Sequence, residues 1–194
     1  MNPPAASAAL RAGPVSAEPA WVPLEACAAR APAGLLPWLA EPGLLTARVR
    51  AAGGAATRFR MLRLEPAPLP ESLKLRLDVG EGGGLVREIE FACGGERWIF
   101  AQSVFPDSTL ARYPWLRELG ESPLGEALRR VADTVREPLE YAELPADHEL
   151  ARAAQPQGGG SLWARRAVYR LAGAPIIVQE VFLPALVRSA PEVP

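Results

Sequence analysis

Two pairs of alternating segments, each joined by a short glycine-containing turn, constrain the fold of this 194-residue chain more than any other feature. LVREIEFA and RWIFAQSVF flank residues 93–96, and SLWARRAVYRLAG and APIIVQEVFLPAL meet at Gly173. Such alternation on both sides of a turn is typical of a β-hairpin. LKLRLDV (residues 73–79) also alternates strictly and predicts a further strand. Because strands outnumber crossover helices, we predict an antiparallel sheet and the α+β class.

Helices are predicted on either side of the first hairpin. Leu44 to Ala52 forms a short helix that ends at a glycine pair, and residues 108–134 form two helical pieces divided at Gly120. In the second piece Ser122 can cap the helix and Pro123 suits its first position.

The first 30 residues differ in composition from the rest of the chain. They are rich in alanine and proline without a sustained apolar period, so we predict that residues 1–30 form a flexible tail and residues 31–190 a single domain. The N-terminal segment lacks the apolar block of a secretory signal, and no apolar run approaches the ~20 residues that cross a bilayer. We therefore expect a soluble, cytoplasmic protein without stable membrane insertion.

The composition argues against several classes of partner and site. The chain has 21 Lys+Arg and 22 Asp+Glu residues, a formal charge of −1, which gives no electrostatic reason to expect nucleic-acid binding. Cys27 and Cys93 have no CxxC spacing, so neither a zinc site nor a disulfide framework is indicated, and Cys93 is expected to be a partly buried thiol. The only histidine, His148, lies in the polar segment ELPADHELA, where we expect it at the surface.

Ionisable residues occur on apolar strand faces in both hairpins. Residues two apart in a strand share a face. In PIIVQEVFLP, Glu180 shares a face with Ile176, Val178 and Phe182, whereas Gln179 lies on the other face. In GLVREIEFA, Arg87 shares a face with Leu85, Ile89 and Phe91, and Glu88 and Glu90 are left on a face that we expect to be solvated.

Two explanations of Arg87 and Glu180 remain open on spacing alone. They could form a structural ion pair or extend to water at a sheet edge. Alternatively, they could offer one cation and one carboxylate to a ligand in a small enclosed site. Leu45 and Leu124 lie at the starts of predicted helices, whose first amides tend to bind anions. Beside an inward arginine, these amides indicate a carboxylate site.

Several segments resemble the chorismate pyruvate-lyase family of the ubiquinone pathway. They are PWLAEPGLLTARVR, VREIEFACGGERWIFAQSVFP, LGESPLGEAL and LWARRAVYRLAGAPIIVQEVFLPAL, in this order between about residues 36 and 186. The pattern LG-x-x-PLG and the final EVFLPA are the most specific pieces. The resemblance implies a monomer with a six-stranded antiparallel sheet and helical flaps, which converts chorismate to 4-hydroxybenzoate and pyruvate without a cofactor or metal.

The resemblance also implies roles for four residues. Arg87 and Glu180 correspond to the essential arginine and glutamate of the family, which bind the substrate and act in catalysis. The backbone amides of Leu45 and Leu124 correspond to two that help to hold the ring carboxylate. On this basis Glu180 lies in an apolar strand because that strand forms the floor of a buried site for a small aromatic acid.

A binding protein without catalytic activity is the alternative. The same fold resemblance extends to ligand-sensing domains of bacterial transcription regulators. Such proteins normally carry an N-terminal DNA-binding module, and the roughly 35 residues before the domain are too few and too poorly patterned for a helix-turn-helix. Trp38, Trp98, Trp115 and Trp163 are expected in the core, and the basic strand WARRAVYR is expected to be a solvated face.

Overall fold

The computed structural model describes residues 18–155, 157 and 159–189, the last without its side chain. The α+β prediction is confirmed, because one antiparallel sheet carries several short helices. The strands are β1 (Thr57–Pro68), β2 (Gly83–Cys93), β3 (Glu96–Pro106), β4 (Thr134–Arg136), β5 (Glu140–Leu144), β6 (Leu162–Leu171) and β7 (Ala174–Phe182). The helices are α1 (Leu36–Leu39), α2 (Leu45–Gly53), α3 (Glu71–Leu77), α4 (Asp107–Arg112), α5 (Leu124–Leu128), α6 (Glu149–Ala154) and α7 (Pro184–Ser189). In the described part of the chain, no helix is long and apolar enough to cross a membrane.

The sheet has seven strands in six positions. Its order is β1-β2-β3-β7-β6-β4, and β5 also pairs with β6. β4 pairs with residues 169–171 of β6 and β5 with residues 162–166, so the two short strands share one edge of β6. Pro138 lies between them and has no amide hydrogen to donate to the ladder. The predicted six-stranded sheet therefore differs from the observed one only by this interruption of the outermost strand.

Both predicted hairpins are present. β2 and β3 are joined by Gly94 and Gly95, whose φ angles are 59° and 86°. Two consecutive positive φ angles match the right-handed twist of the strands, and glycine adopts them without strain. The second hairpin joins β6 and β7 through Ala172 and Gly173. These turns fix the register that brings Arg87 and Glu180 to the same face.

Two apolar clusters cover the ends of one face of the sheet, which we call the inner face. The cluster beneath α1 and α2 includes Trp38, Val49, Phe91, Trp98 and Phe182. The cluster beneath α4 and α5 includes Leu85, Phe105, Leu110, Leu124 and Ile176. Between them the strand register aligns a middle row of Arg87, Ser103, Val178 and Ala167. This row contains a charged residue and a hydroxyl between two apolar clusters, where a site can form without disrupting the core.

The opposite, outer face is also buried, which corrects the expectation that Glu88 and Glu90 face solvent. α3 and α6 pack on this face, and the two glutamates are only 8% and 6% exposed. Glu88 accepts a hydrogen bond from Gln102, which in turn accepts one from Gln179. Glu90 forms ion pairs with arginines of β1 and β3. Buried polar groups are tolerated here because cross-strand partners satisfy them.

The prediction of a strand at residues 73–79 is wrong, because Glu71–Leu77 forms α3. Pro70 precedes the helix, a position that requires no amide hydrogen. Leu73 and Leu77 are buried, whereas Leu75 is 75% exposed. Leu73 and Leu77 are four residues apart, so they lie on the same buried face of the helix. The spacing of the leucines therefore agrees with a helix as well as with the two-residue period of a strand.

Residues 18–30 pack against the sheet, so this part of the predicted tail is structured. Val22 forms a β-bridge with Tyr141, and Cys27 is 1% exposed in the cluster beneath α1. Trp21 stacks on Arg166, whose guanidinium carbon Cζ lies 4.2 Å from the centroid of the tryptophan ring. Residues 1–17 lie outside the described residues, and their flexibility stays a prediction.

Candidate functional site

The middle row of the inner face forms the floor of a cavity. Ser103 and Ala167, with Ala101 in the next row, have small side chains that leave space between the two apolar clusters. Residues at the starts of α2 and α5 cover this space. About 650 Å³ is unfilled by protein atoms when the mouth is included. A concave space between a sheet and the starts of two helices is the kind of place where small-molecule sites occur.

Arg87 lies in the cavity floor as a buried cation without a carboxylate partner in the described chain. Its side chain donates to the carbonyl oxygens of Gly120 (2.8 and 3.1 Å) and Ser122 (2.8 Å), but its Nη1 has no hydrogen-bond partner there. Burial lowers the pKa of Arg87 to about 10. An unpaired, desolvated guanidinium nitrogen is costly, and an anionic ligand in the cavity would relieve the cost.

The prediction that Ser122 caps α5 is wrong. α5 begins at Leu124 after Pro123, and no side chain caps it. The segment before the helix instead turns its carbonyl oxygens towards Arg87. The arginine is thus fixed by the same loop that leads into α5.

Glu180 lines the same cavity, two strands away from Arg87. Strand spacing puts the two Cα atoms about 10 Å apart across the sheet and about 7 Å apart along it. Their side chains can then contact opposite sides of a ligand the size of one aromatic ring. The structure thus brings together the two charged residues that the apolar strand faces singled out.

Arg165 is the site residue that sequence analysis missed. It is 2% exposed and lies opposite Glu180 in the β6–β7 register, where its Nε donates to the glutamate at 2.5 Å. Its Nη1 donates to the carbonyl oxygens of Trp38, Leu39 and Glu41 at 2.8 to 3.3 Å. Arg165 therefore connects Glu180 to the end of α1 and the turn that leads into α2.

The solvated face predicted for WARRAVYR is wrong on both sides of the strand. Arg165 is buried on the inner face, and Arg166 is buried on the outer face, where it pairs with Glu140. Alternation places Arg165 with Trp163 and Ala167, but it gives Arg166 equally apolar neighbours, so the strand period does not distinguish the site residue.

Leu45 and Leu124 are the first residues of α2 and α5, and both line the cavity. Their amides have no acceptor within their own helices, as for any first-turn residue. The two helices, which we call the flap helices, meet over the site. A Cβ atom on Gly125 would lie 2.5 Å from the Cδ2 atom of Leu44, and Arg50 pairs with Glu126 across the same boundary.

The cavity opens beside Arg136 and Tyr169. Both residues also line an adjoining outer pocket, which is further bounded by Pro42, Arg129, Val131 and Thr134. Burial, followed by the charge of Glu180, raises the pKa of Tyr169. The mouth therefore presents a neutral phenol beside an exposed guanidinium.

Other chemically reactive residues lie away from the cavity. His148 is buried at 7% exposure, contrary to the predicted surface position, because its Nδ1 accepts from the Leu150 amide and caps α6. Cys93 is half-buried, as predicted. Trp38, Trp98 and Trp163 are in the core, whereas Trp115 is half-buried. Over the described ranges, no group of three His, Cys, Asp or Glu residues could hold a metal.

Comparison with known proteins identifies the family of this chain. The family model described as chorismate lyase matches residues 17–190. The chain belongs to the chorismate lyase family. Probable chorismate pyruvate-lyases of Methylococcus capsulatus and Dechloromonas aromatica are similar to it, with 41% and 36% identity. These matches cover 80% and 77% of this chain and 97% and 86% of the relatives, respectively. Membership in the chorismate lyase family makes this protein a carbon–oxygen lyase.

One of two similar solved structures supports the fold of this chorismate lyase family member. The structure of PhnF from Mycobacterium smegmatis is similar with a TM-score of 0.50 and 18% identity over 70% of this chain and 62% of that chain. A GntR-family transcriptional regulator from Bacillus cereus has a TM-score of 0.48 and 12% identity, over 68% and 94% of the two chains. At such identities the first likeness shows a shared fold alone.

Proposed function

We propose that this protein eliminates pyruvate from chorismate and releases 4-hydroxybenzoate. The observation that carries the proposal is the unpaired Nη1 of Arg87, in a cavity whose other side holds the carboxylate of Glu180. Such a site offers a cation to a ring carboxylate and an acceptor to a ring hydroxyl. Family membership and the names of the relatives support the choice of chorismate among aromatic acids.

Arg87 anchors the ring carboxylate in this proposal. Its Nη1 donates a charge-assisted hydrogen bond, and the first amides of the flap helices, at Leu45 and Leu124, supply further donors. These donors are already positioned before the ligand binds, because the carbonyl oxygens of Gly120 and Ser122 hold the guanidinium. A preorganised donor set loses little entropy when the substrate binds.

Glu180 accepts a hydrogen bond from the ring hydroxyl at C4. The C3–O ether bond breaks, and its electron pair leaves with the enolpyruvyl oxygen. The C4–H electron pair completes the aromatic ring, and that proton reaches the methylene carbon of the departing group, which becomes pyruvate. Aromatisation makes the step downhill and requires no electron sink, so we propose that no cofactor or metal takes part.

The protein contributes position and charge to this reaction. The apolar clusters and flap helices exclude water, which strengthens the hydrogen bonds inside the cavity. Arg165 holds Glu180 in place, so the ring hydroxyl meets a fixed acceptor. Substrate orientation of this kind can supply a large part of a rate enhancement.

The cellular setting is part of the proposal. The resemblance to the chorismate pyruvate-lyase family supports a monomer as the active unit, and we include it in the proposal. The product 4-hydroxybenzoate is a ring precursor for ubiquinone, and we propose that the reaction takes place in the cytoplasm.

Incubation of the purified protein with chorismate tests the proposal. We expect 4-hydroxybenzoate and pyruvate to form in equal amounts, measured by chromatography and by a coupled lactate dehydrogenase assay. The Arg87→Ala variant serves as the inactive control. Binding of 4-hydroxybenzoate without any turnover of chorismate would indicate a sensing or carrier protein instead. A product with the hydroxyl at another ring position would also contradict the proposal.

A further inference from the structure

The charges that line the cavity do not balance. Three guanidiniums, those of Arg87, Arg136 and Arg165, face one carboxylate, that of Glu180. Arg165 is paired with Glu180. Within residues 18–155, 157 and 159–189, neither Arg87 nor Arg136 forms an ion pair. The described cavity therefore carries two uncompensated positive charges.

Chorismate brings two negative charges, one on the ring and one on the enolpyruvyl group. If Arg87 binds the ring carboxylate, the second carboxylate needs its own partner. We propose that Arg136 binds the enolpyruvyl carboxylate and thereby selects substrates with two carboxylates. This inference rests on the proposed lyase function and assigns a specificity-determining residue to the same site.

The position of Arg136 suits this role. It is exposed at the end of β4, pairs with Tyr169 of β6, and lines both the cavity and the outer pocket. Its charge also acts on the Tyr169 phenol, so the two groups lie close together at the cavity mouth. Arg129 is another cation of the outer pocket, but it does not line the inner cavity.

An order of product release follows from the two anchors. The enolpyruvyl group lies towards the mouth, with its carboxylate on an exposed arginine that water can solvate. Pyruvate can therefore leave first through the outer pocket. The 4-hydroxybenzoate keeps its carboxylate on the buried Arg87 beneath the flap helices, so it leaves last.

Substitution of Arg136 should weaken binding of the substrate while leaving binding of the aromatic product almost unchanged. In Arg136→Gln we expect KM for chorismate to rise about tenfold, the effect of losing one hydrogen bond to a charged group. The affinity for 4-hydroxybenzoate, measured by calorimetry, should change less than twofold, because this ligand has no enolpyruvyl carboxylate. Arg87→Gln should weaken the binding of both chorismate and 4-hydroxybenzoate. Arg136→Lys should keep part of the chorismate affinity.

Arg130→Gln is the matched control for the loss of one surface charge, since Arg130 is exposed and lines neither pocket. A KM for chorismate within twofold of wild type in Arg136→Gln would overturn the inference. Equal weakening of chorismate and 4-hydroxybenzoate would also overturn it, because Arg136 would then act on the shared ring. Absence of turnover in the wild-type protein would instead count against the proposed function. Melting temperatures of all variants identify any that fail to fold.

Discussion

Arg165 and Glu180 lie directly opposite each other on β6 and β7, and the guanidinium Nε donates to the carboxylate at 2.5 Å. The same guanidinium binds two carbonyl oxygens at the end of α1 and one in the turn that leads into α2. The pair therefore connects the proposed catalytic carboxylate to the cover of the cavity. A change at Arg165 should disturb both.

Arg165→Ala should reduce kcat for chorismate by at least about tenfold, since small misplacements of a positioned group are costly in rate. It should also lower the free energy of unfolding by about 3–5 kcal/mol, the cost of breaking a buried ion pair. Arg166→Ala is the matched control: its arginine is also buried but faces the outer side. Assays well below both melting temperatures should show the kcat loss only in Arg165→Ala, and equal kcat losses would refute a role specific to the inner face.

Arg87→Ala should weaken binding of 4-hydroxybenzoate by about 2–5 kcal/mol, the usual loss when one partner of a buried charged pair is truncated. The reason is that the buried Nη1 of Arg87 has no hydrogen-bond partner in the described chain, so a bound ligand would be its partner. Isothermal titration calorimetry measures the change. Unaltered affinity would mean that the ring carboxylate binds elsewhere.

Product inhibition should be strong for 4-hydroxybenzoate and weak for pyruvate. The ring carboxylate and hydroxyl survive the reaction, so their contacts bind substrate and product alike and do not favour release. The flap helices must then move before the product leaves, and such motions often limit turnover. Progress curves should bend early, whereas curves that stay linear to near-complete conversion would contradict an enclosed site.

Gly125→Val tests the closed arrangement of the flap helices. A side chain at this position requires the Leu44 side chain across the boundary to move, and the two methyl groups of valine increase that displacement. We expect the variant to release 4-hydroxybenzoate faster, as stopped-flow fluorescence can measure. The second substitution in Leu44→Ala/Gly125→Val removes the collision and should restore slow release. If release stays at the wild-type rate in the single variant, the contact does not control opening.

Stability should fall in mild acid because of His148. Burial, which outweighs the nearby carboxylates of Glu18, Asp147 and Glu149, lowers the pKa of this histidine below 6.5. In mild acid His148 is therefore protonated more readily in the unfolded chain than in the folded chain. The contribution of His148 to the free energy of unfolding is complete above pH ~6.5 and declines below it. The decline is at most about 1.4 kcal/mol per pH unit.

His148→Asn keeps a capping acceptor without a titrating group. Its melting temperature should fall less than that of wild type between pH 7.5 and 5.5, as calorimetry can record. A fall of the same size in both proteins would exclude His148 as the cause.

Local patterns predicted the hairpins and the start of α2 because turn chemistry and strand period act over a few residues. The same period placed Arg87 and Glu180 on the apolar faces. It could not identify Arg165, since WARRAVYR has an arginine on each face and only the packing of α1 shows which one enters the site. The burial of Glu88 depends on α3 and α6, which are distant in sequence. Helix α3 itself was missed because its leucines satisfy both periods.

The central claim is that one aromatic ring lies between Arg87 and Glu180. A crystal structure with 4-hydroxybenzoate tests it most directly. We predict that the carboxylate lies within hydrogen-bond distance of the Arg87 Nη1 and that the hydroxyl donates to Glu180. A ligand bound only in the outer pocket, or bound in the cavity with its carboxylate away from Arg87, would contradict it.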